Sequence, residues 1–120
     1  MSTRDVITRY YELANLGAWD AWTDLFAPDL VMDEQLAGHI EGQQVLREMM
    51  RGFPSLYPSF RNTPAHILID GSAAAVISHI SATTAAGVPI EADVANYFVL
   101  AGDRIIYLAN FHDTVPFKTG

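Results

Sequence analysis

Hydrophobic and polar positions follow a helical period in the first half of the chain. Apolar side chains recur every three or four positions over residues 2–16 and again over residues 43–53, as on one face of an amphipathic helix. A second short helix is predicted between them, where apolar residues keep the same spacing at Trp19, Trp22, Leu25 and Phe26. Residues 30–34 are predicted to form a short strand, and residues 36–42 a loop.

The second half of the chain changes to a period of two, which is typical of strands. Four such segments are predicted, over residues 60–70, 73–84, 90–100 and 104–113. The pairs that separate them contain glycine and are typical of hairpin turns: Asp70-Gly71, Ala86-Gly87 and Gly102-Asp103. Helices followed by strands predict an α+β fold, in which three N-terminal helices cover one face of a long, curved antiparallel sheet.

Composition excludes several functional classes. The chain of 120 residues has no cysteine, which excludes disulfides, thiol nucleophiles and zinc–thiolate sites. Seven basic against fourteen acidic residues give a net charge of −7, whereas a nucleic-acid-binding domain needs a basic surface. No apolar run reaches the roughly 18 residues of a membrane span, and the N-terminus lacks the pattern of a signal peptide. We therefore expect one cytoplasmic domain over residues 1–120, with no nucleic-acid or membrane partner.

The hydrophobic content is high for so small a domain. Half of the residues are hydrophobic, which is more than one compact core of this size needs. The surplus predicts that apolar side chains line an internal cavity, a subunit interface, or both. Large apolar residues of the helical half are expected in such a wall, among them Trp22, Met49 and Phe53.

A few ionisable side chains stand where general acid–base chemistry is plausible. Asp33 and Glu34 end the first predicted strand, so alternation directs one of them inward, where burial raises the pKa of a carboxyl group. Tyr10 lies on the apolar face of the first helix, from which its hydroxyl can donate to a developing oxyanion. His79 lies in the middle of a strand, where an unpaired imidazole is costly. Solvated acids, a core tyrosine and a hydrogen-bonded core histidine are the structural alternatives.

Further polar residues stand among aliphatic neighbours on the last two predicted strands. Asn96 shares one strand face with Phe98. Leu108, Asn110 and His112 share one face of the next strand. A few polar groups in apolar surroundings are typical of a small-molecule pocket, and hydrogen bonds to local backbone are the alternative. We expect these five residues to contact the ligand or to act on it.

A metal site or cofactor is not expected. His39 and His66 are expected in loops or at the surface, and the spacing of His39, His79 and His112 resembles no zinc motif. The sequence also contains no glycine-rich loop that would hold a phosphate group.

The order of elements and several local strings resemble the nuclear transport factor 2-like superfamily, which includes the ketosteroid isomerases and the SnoaL-type polyketide cyclases. The resemblance covers nearly the whole chain. The strings that carry it lie at residues 9–17, 24–29, 42–50, 97–100, 102–106 and 110–113. It implies a cone-shaped fold, with an apolar pocket between the helices and the concave face of the sheet. It also implies a homodimer formed through the convex sheet face.

The resemblance implies roles for individual residues. Ketosteroid isomerases use a carboxylate base after the first strand, a tyrosine on the first helix and a protonated aspartate on a later strand. Glu34 stands at the position of the base and Tyr10 at that of the tyrosine. Asn96 stands at the position of the aspartate if the next turn is one residue shorter here, and its amide can still donate a hydrogen bond. The same register directs His79 into the cone.

These expectations favour three functions. In the first, a cofactor-independent enzyme isomerises, cyclises or dehydrates a small apolar carbonyl compound. Glu34 removes a proton, Tyr10 and Asn96 hold the enolate oxygen, and His79 orients the substrate or moves the proton. In the second, the domain is a non-catalytic module that binds a small apolar ligand or mediates dimerisation. In the third, it is an accessory subunit that docks a larger complex through its exposed sheet face.

Overall fold

The computed structural model describes residues 1–118, in which all four α-helices and two strands lie in the first half and the second half is mainly strands. The α-helices are α1 (Thr3–Leu16), α2 (Trp19–Thr23), α3 (Gln43–Arg51) and α4 (Phe53–Leu56), and a 3₁₀ helix (Val115–Lys118) follows the last strand. The strands are β1 (Phe26–Glu34), β2 (Gly38–Glu41), β3 (Ser59–Asp70), β4 (Ala73–Thr83), β5 (Pro89–Ala101) and β6 (Arg104–His112). No helix among these residues is long and apolar enough to cross a membrane.

Helix α1 is closed at both ends by local interactions. The Ser2 hydroxyl accepts a hydrogen bond from the Asp5 N–H, and the Asp5 carboxylate accepts one from the Ser2 N–H. Gly17 ends the helix with φ at 69°, a left-handed conformation that favours glycine. The buried face of α1 carries Tyr10 and Tyr11. The two caps therefore fix the ends of the helix on either side of these rings.

The strands form one mixed sheet in the order β2-β1-β6-β5-β4-β3. The α+β prediction is confirmed, and neighbouring strands from β3 to β6 pair antiparallel as the hairpin turns predict. The prediction of a purely antiparallel sheet is wrong for one pairing, because β1 runs parallel to β6. Two helices and four strands separate β1 from β6 in the chain, and a connection of this length allows a parallel pair.

The pairing of the strands is irregular at three places, and irregularities of this kind bend a strand locally. The register shifts within β1, again in β3 between Pro64 and His66, and in β5 between Val99 and Leu100. Side chains from the helices and from one sheet face then form a continuous core. The three N-terminal helices thus cover one face of a curved sheet, as the sequence predicts.

Three element boundaries differ from the sequence prediction. Phe26 begins β1 instead of ending α2, because its ring is fully buried in the core. Residues 36–42 are not only a loop, since they include β2, which pairs with β1 and buries Ile40. Gly52 ends α3 before Phe53, which begins the separate short helix α4.

Replacing Leu108 with alanine tests the assignment of this residue to the core. Leu108 is fully buried, whereas Leu16 at the end of α1 is 76% exposed. We expect Leu108→Ala to lower the free energy of unfolding by about 2–5 kcal/mol, and Leu16→Ala to change it by less than about 0.5 kcal/mol. Urea denaturation followed by circular dichroism measures both. Equally small losses in the two variants would contradict the assignment.

Candidate functional site

A cavity of about 360 Å³ lies between the helices and the covered face of the sheet. Much of its wall is aromatic or thioether side chains, contributed by Trp19, Trp22, Met49, Met50, Phe53 and Phe60. The rings of Trp19, Phe53 and Phe60 pack edge to face, with centroids 4.8–5.8 Å apart. No lysine or arginine occurs among the lining residues that the structure describes. The wall therefore favours an apolar, uncharged occupant.

Glu34 is the only carboxylate among the described lining residues. It ends β1, and its side chain is 18% exposed. Oε2 accepts hydrogen bonds from the Leu36 N–H at 2.8 Å and from the Ala37 N–H at 2.7 Å, both in the turn before β2. Oε1 lies 2.6 Å from Nε2 of His112. The turn and the histidine together hold the carboxylate in one orientation at the wall of the cavity.

His112 reaches Glu34 because β1 and β6 run in parallel. The register pairs Glu34 with Asn110, and alternation along β6 turns Asn110 and His112 to the same side. The His112 side chain is 4% exposed, and Phe117 of the 3₁₀ helix packs with its ring centroid 4.9 Å away. Nδ1 lies 2.9 Å from the carbonyl oxygen of Asp113. The imidazole is therefore fixed at both of its nitrogens and covered on one side.

Two tyrosines line the cavity within the electrostatic influence of Glu34. Burial and the charge of Glu34 raise the pKa of Tyr10 well above its usual range. The same two causes raise the pKa of Tyr57. Both side chains therefore stay protonated at neutral pH and can donate hydrogen bonds. Among the residues that the structure describes, the Tyr10 hydroxyl has no hydrogen-bond partner, so its donor is available to a ligand.

Asn96 is the centre of a buried polar network. Its Oδ1 accepts hydrogen bonds from the Tyr11 hydroxyl at 2.6 Å and from the Ser78 hydroxyl at 3.1 Å. Its Nδ2 donates to Oδ1 of Asn110. Burial raises the pKa of Tyr11, which keeps its hydroxyl a donor. Sequence reasoning did not identify Tyr11, although it is the helix α1 tyrosine that contacts Asn96.

The structure brings most of the candidate residues named from the sequence to this one cavity. The lining residues among them are Tyr10, Trp22, Glu34, Met49, Phe53, Asn96, Asn110 and His112. Three others do not line it.

His79 is the first of these exceptions, and the prediction that it points into the cone is wrong. Its side chain is 43% exposed on the opposite face of the sheet. There its Nδ1 lies 2.8 Å from Asp93, and its Nε2 lies 2.9 Å from Glu91. Alternation along β4 instead directs Ser78 and Ile80 toward the helices. The implied register was therefore one residue out of phase at this strand.

Phe98 and Leu108 were predicted to contact the ligand, and the structure places both outside the cavity wall. Both side chains are fully buried in the core. The Phe98 ring packs edge to face on Tyr10, with centroids 5.0 Å apart. The rings of Tyr10 and Tyr11 on α1 pack on Phe98, and Leu108 is enclosed in the same core, so neither side chain reaches the cavity wall.

Other lining residues had little or no signal in the sequence. Tyr57 lies in the segment between Pro54 and Pro58 that indicates only a break, and Phe117 follows the last predicted strand. Asn62 also lines the cavity, and its Oδ1 and the Nε1 of Trp22 are buried without a hydrogen-bond partner in the described part of the chain. A lone asparagine in a strand was the available signal for Asn62. These atoms add an unpaired acceptor and an unpaired donor to residues that line the cavity.

The histidines do not form a metal site. His39 contacts Asp33 on the side of β1 away from Glu34, whereas His79 and His112 lie in separate clusters. Within residues 1–118, no group of three or more His, Cys, Asp or Glu side chains could hold a metal ion.

Comparison with known proteins identifies one family. The family model described as the SnoaL-like domain matches residues 7–108. The search of curated protein sequences found no match. The family match confirms the resemblance that the sequence strings carry.

Solved structures share the fold at low sequence identity. A protein of unknown function from Burkholderia pseudomallei K96243, described as nuclear transport factor 2-like, superposes with a TM-score of 0.88 at 16% identity, over 98% of this chain and 95% of that one. A protein from Jannaschia sp. CCS1, assigned as a SnoaL-like polyketide cyclase, gives 0.81 at 15% identity, over 96% and 88%. TerC, co-crystallized with polyporic acid, gives 0.85 at 16% identity, over 96% and 94%. At such identities the likeness establishes the fold alone.

His79, Asp93 and Glu91 form a cluster on the outer sheet face, and its contribution to stability depends on pH. Hydrogen bonds to Asp93 and Glu91 raise the pKa of His79 in the folded protein. The stability that this histidine contributes is therefore complete below the pKa of about 6.5 that it has in the unfolded chain. This stability is lost as the pH rises through the higher pKa of His79 in the folded protein. Its partner Glu91 has a lowered pKa, so that contribution is lost only in stronger acid. We expect His79→Gln to be less stable than the wild type near pH 6 and equal to it near pH 9, measured by urea denaturation.

His66→Gln is the matched control, since His66 is exposed on β3. A stability difference for His79→Gln that does not change between the two pH values would contradict the ion-pair interpretation.

Proposed function

Because this chain belongs to the SnoaL-like domain family, we propose that it is a cofactor-independent enzyme that moves a proton on a small apolar carbonyl compound. The reaction class is isomerisation, cyclisation or dehydration. The observation that carries the proposal is the position of one carboxylate, Glu34, 2.6 Å from His112 in an otherwise largely apolar cavity. A partly buried acid with a fixed partner in a cleft is a typical arrangement for acid–base catalysis.

The proposed chemistry begins with Glu34 as the base. Its carboxylate takes a proton from the carbon next to the substrate carbonyl, and the electron pair of the broken C–H bond moves onto the carbonyl oxygen. The Tyr10 hydroxyl, a protonated donor without an internal partner, donates a hydrogen bond to that oxygen. In an isomerisation, Glu34 then returns the proton to a different carbon. In a dehydration, the enolate expels a hydroxyl group, which takes the proton from Glu34 and leaves as water. In a cyclisation, the enolate carbon attacks a second carbonyl group, whose oxygen takes that proton.

Asn96 has a more limited role in this scheme than the sequence predicts. Its Oδ1 already accepts two hydrogen bonds, and one hydrogen of its Nδ2 is given to Asn110. We assign it to positioning Asn110 at the cavity wall, with its second amide hydrogen as an additional donor to the ligand.

The proposed substrate is neutral and largely apolar. The cavity of about 360 Å³ falls within the range of sites for small organic molecules. The described lining residues include no lysine or arginine that would bind a phosphate or carboxylate group. The co-crystallisation of TerC with polyporic acid and the cyclase assignment of the Jannaschia protein support a role of this chain in binding a small molecule.

Replacing Glu34 with glutamine tests the base. Because the product is unknown, the assay is hydrogen–deuterium exchange at carbons next to the carbonyl in a panel of one- to three-ring ketones, followed by NMR. We expect the wild type to catalyse exchange in at least one compound and Glu34→Gln to slow it by about 10²–10⁴-fold, since the amide cannot accept the proton.

Glu41→Gln is the matched control, because Glu41 lies on β2 with its side chain 73% exposed and outside the cavity wall. It should leave the exchange rate unchanged. Undiminished exchange in Glu34→Gln would exclude Glu34 as the base.

A non-catalytic binding module remains the second candidate, and one observation favours it. Oδ1 of Asn96 and both carboxylate oxygens of Glu34 already have hydrogen-bond partners within the protein. Internal partners of this kind also suit side chains that only hold the shape of a binding pocket. Thermal-shift binding of the same ketones, without exchange in any of them, would support this module over the enzyme.

We further propose that the protein forms a homodimer through the outer sheet face. Four apolar side chains on this face are 43–73% exposed and border one shallow depression: Leu68, Ile77, Tyr97 and Phe111. A contiguous apolar patch of this kind favours association with a second copy.

Light scattering coupled to size-exclusion chromatography tests the dimer. We expect the mass of a dimer for the wild type and of a monomer for Phe111→Lys, because a buried lysine without a partner opposes association. Leu16→Lys, at an exposed position on α1, should remain dimeric. A wild type that stays monomeric as its concentration rises would contradict the proposed interface.

A further inference from the structure

The two contacts of His112 determine where its hydrogen atoms lie. Nδ1 is 2.9 Å from the carbonyl oxygen of Asp113. A carbonyl oxygen only accepts hydrogen bonds, so Nδ1 carries a hydrogen. A neutral imidazole with its hydrogen on Nδ1 has a bare lone pair on Nε2.

The contact at Nε2 requires another hydrogen. Nε2 lies 2.6 Å from Oε1 of Glu34, and two facing lone pairs would repel each other at this distance. One proton must therefore lie between the two atoms. The other carboxylate oxygen accepts two backbone hydrogen bonds, from Leu36 and Ala37, and such bonds favour the ionised carboxylate. The geometry thus places the shared proton on His112.

No other group in the described part of the cavity wall can supply positive charge. The wall has no lysine or arginine, and its remaining ionisable groups are the hydroxyls of Tyr10 and Tyr57. The carboxylate of Asp113, next in the chain, accepts a hydrogen bond from the Val115 N–H. We propose that His112 is held as an imidazolium beside Glu34 and is the positive counter-charge for an anion formed in the cavity.

The consequence for the reaction rests on the function proposed above. A carboxylate offers about four lone-pair sites, of which Oε2 uses two and His112 uses one. The remaining site on Oε1 accepts the substrate proton as the C–H bond breaks. Glu34 then becomes neutral, the carbonyl oxygen becomes negative, and His112 stays positive. The cavity is neutral before and after the step, so no uncompensated charge is buried.

Nitrogen-15 NMR of histidine-labelled protein tests the imidazolium directly and needs no substrate. At pH 7 we expect both ring nitrogens of His112 in the wild type to show the chemical shifts and one-bond couplings of protonated nitrogen. His112→Gln identifies these resonances by their loss. In Glu34→Gln, Nε2 should shift to the position of a bare nitrogen. A bare nitrogen on His112 in the wild type would overturn the proposal, whatever the exchange assay shows.

The exchange assay then tests the role as counter-charge. We expect His112→Gln to lower the maximal exchange rate at least about tenfold with little change in KM, because the ground-state ligand is neutral. His112→Lys should recover part of the rate, since it restores the charge. The control His39→Gln, outside the cavity wall, should retain full activity. Equal rates for the glutamine and lysine variants at position 112 would contradict the charge-based role.

Discussion

The parallel pairing of β1 with β6 is the interaction on which the candidate site depends. It aligns Glu34 with Asn110, and the alternation of β6 then brings His112 to the same carboxylate. A shift of one residue would move Glu34 to the opposite face of the sheet and leave the buried imidazole without its acid. The turn into β2 adds two backbone hydrogen bonds that fix the second carboxylate oxygen. The site is therefore produced by sheet register together with the short turn that leads into β2.

The position of the cavity follows from what the apolar side of each helix packs against. Helix α1 packs on Phe98 through Tyr10 and Tyr11, which keeps Phe98 in the core and out of the cavity wall. The shorter helices α2, α3 and α4 instead supply tryptophan, methionine and phenylalanine side chains to the cavity wall. Much of the apolar surplus of the sequence is thus accounted for by this wall and by the exposed patch on the other sheet face. The polar network of Asn96 lies where α1, β4 and β5 meet the cavity, so it also fixes the position of α1 over the sheet.

Sequence periodicity predicted most of the element types and the side of α1 that carries Tyr10, but it missed the short strand β2. It did not predict that β1 starts at Phe26. The spacing of Phe26 from Trp22 fits a helix, but a single buried aromatic residue fits a strand equally well. His79 shows a second limit of sequence patterns. A period of two assigns residues to the two faces of a strand, but it does not show which face the helices cover. Local sequence patterns also could not predict the partner of Glu34. The contact between residues 34 and 112 depends on a parallel strand pairing, which no turn motif in the sequence indicates.

The contrast between His79 and His112 shows why burial, and not the number of acid partners, separates the two sites. His79 has two carboxylate partners, Asp93 and Glu91, but its side chain is 43% exposed, so water competes with both contacts. His112 has one partner and is 4% exposed, with Phe117 against its ring. In such surroundings, charge is weakly screened, and a proton gained or lost by either member changes the field throughout the cavity. The His112–Glu34 pair therefore stands where its charges can reach a ligand in the cavity, whereas the His79 cluster lies on the opposite face of the sheet.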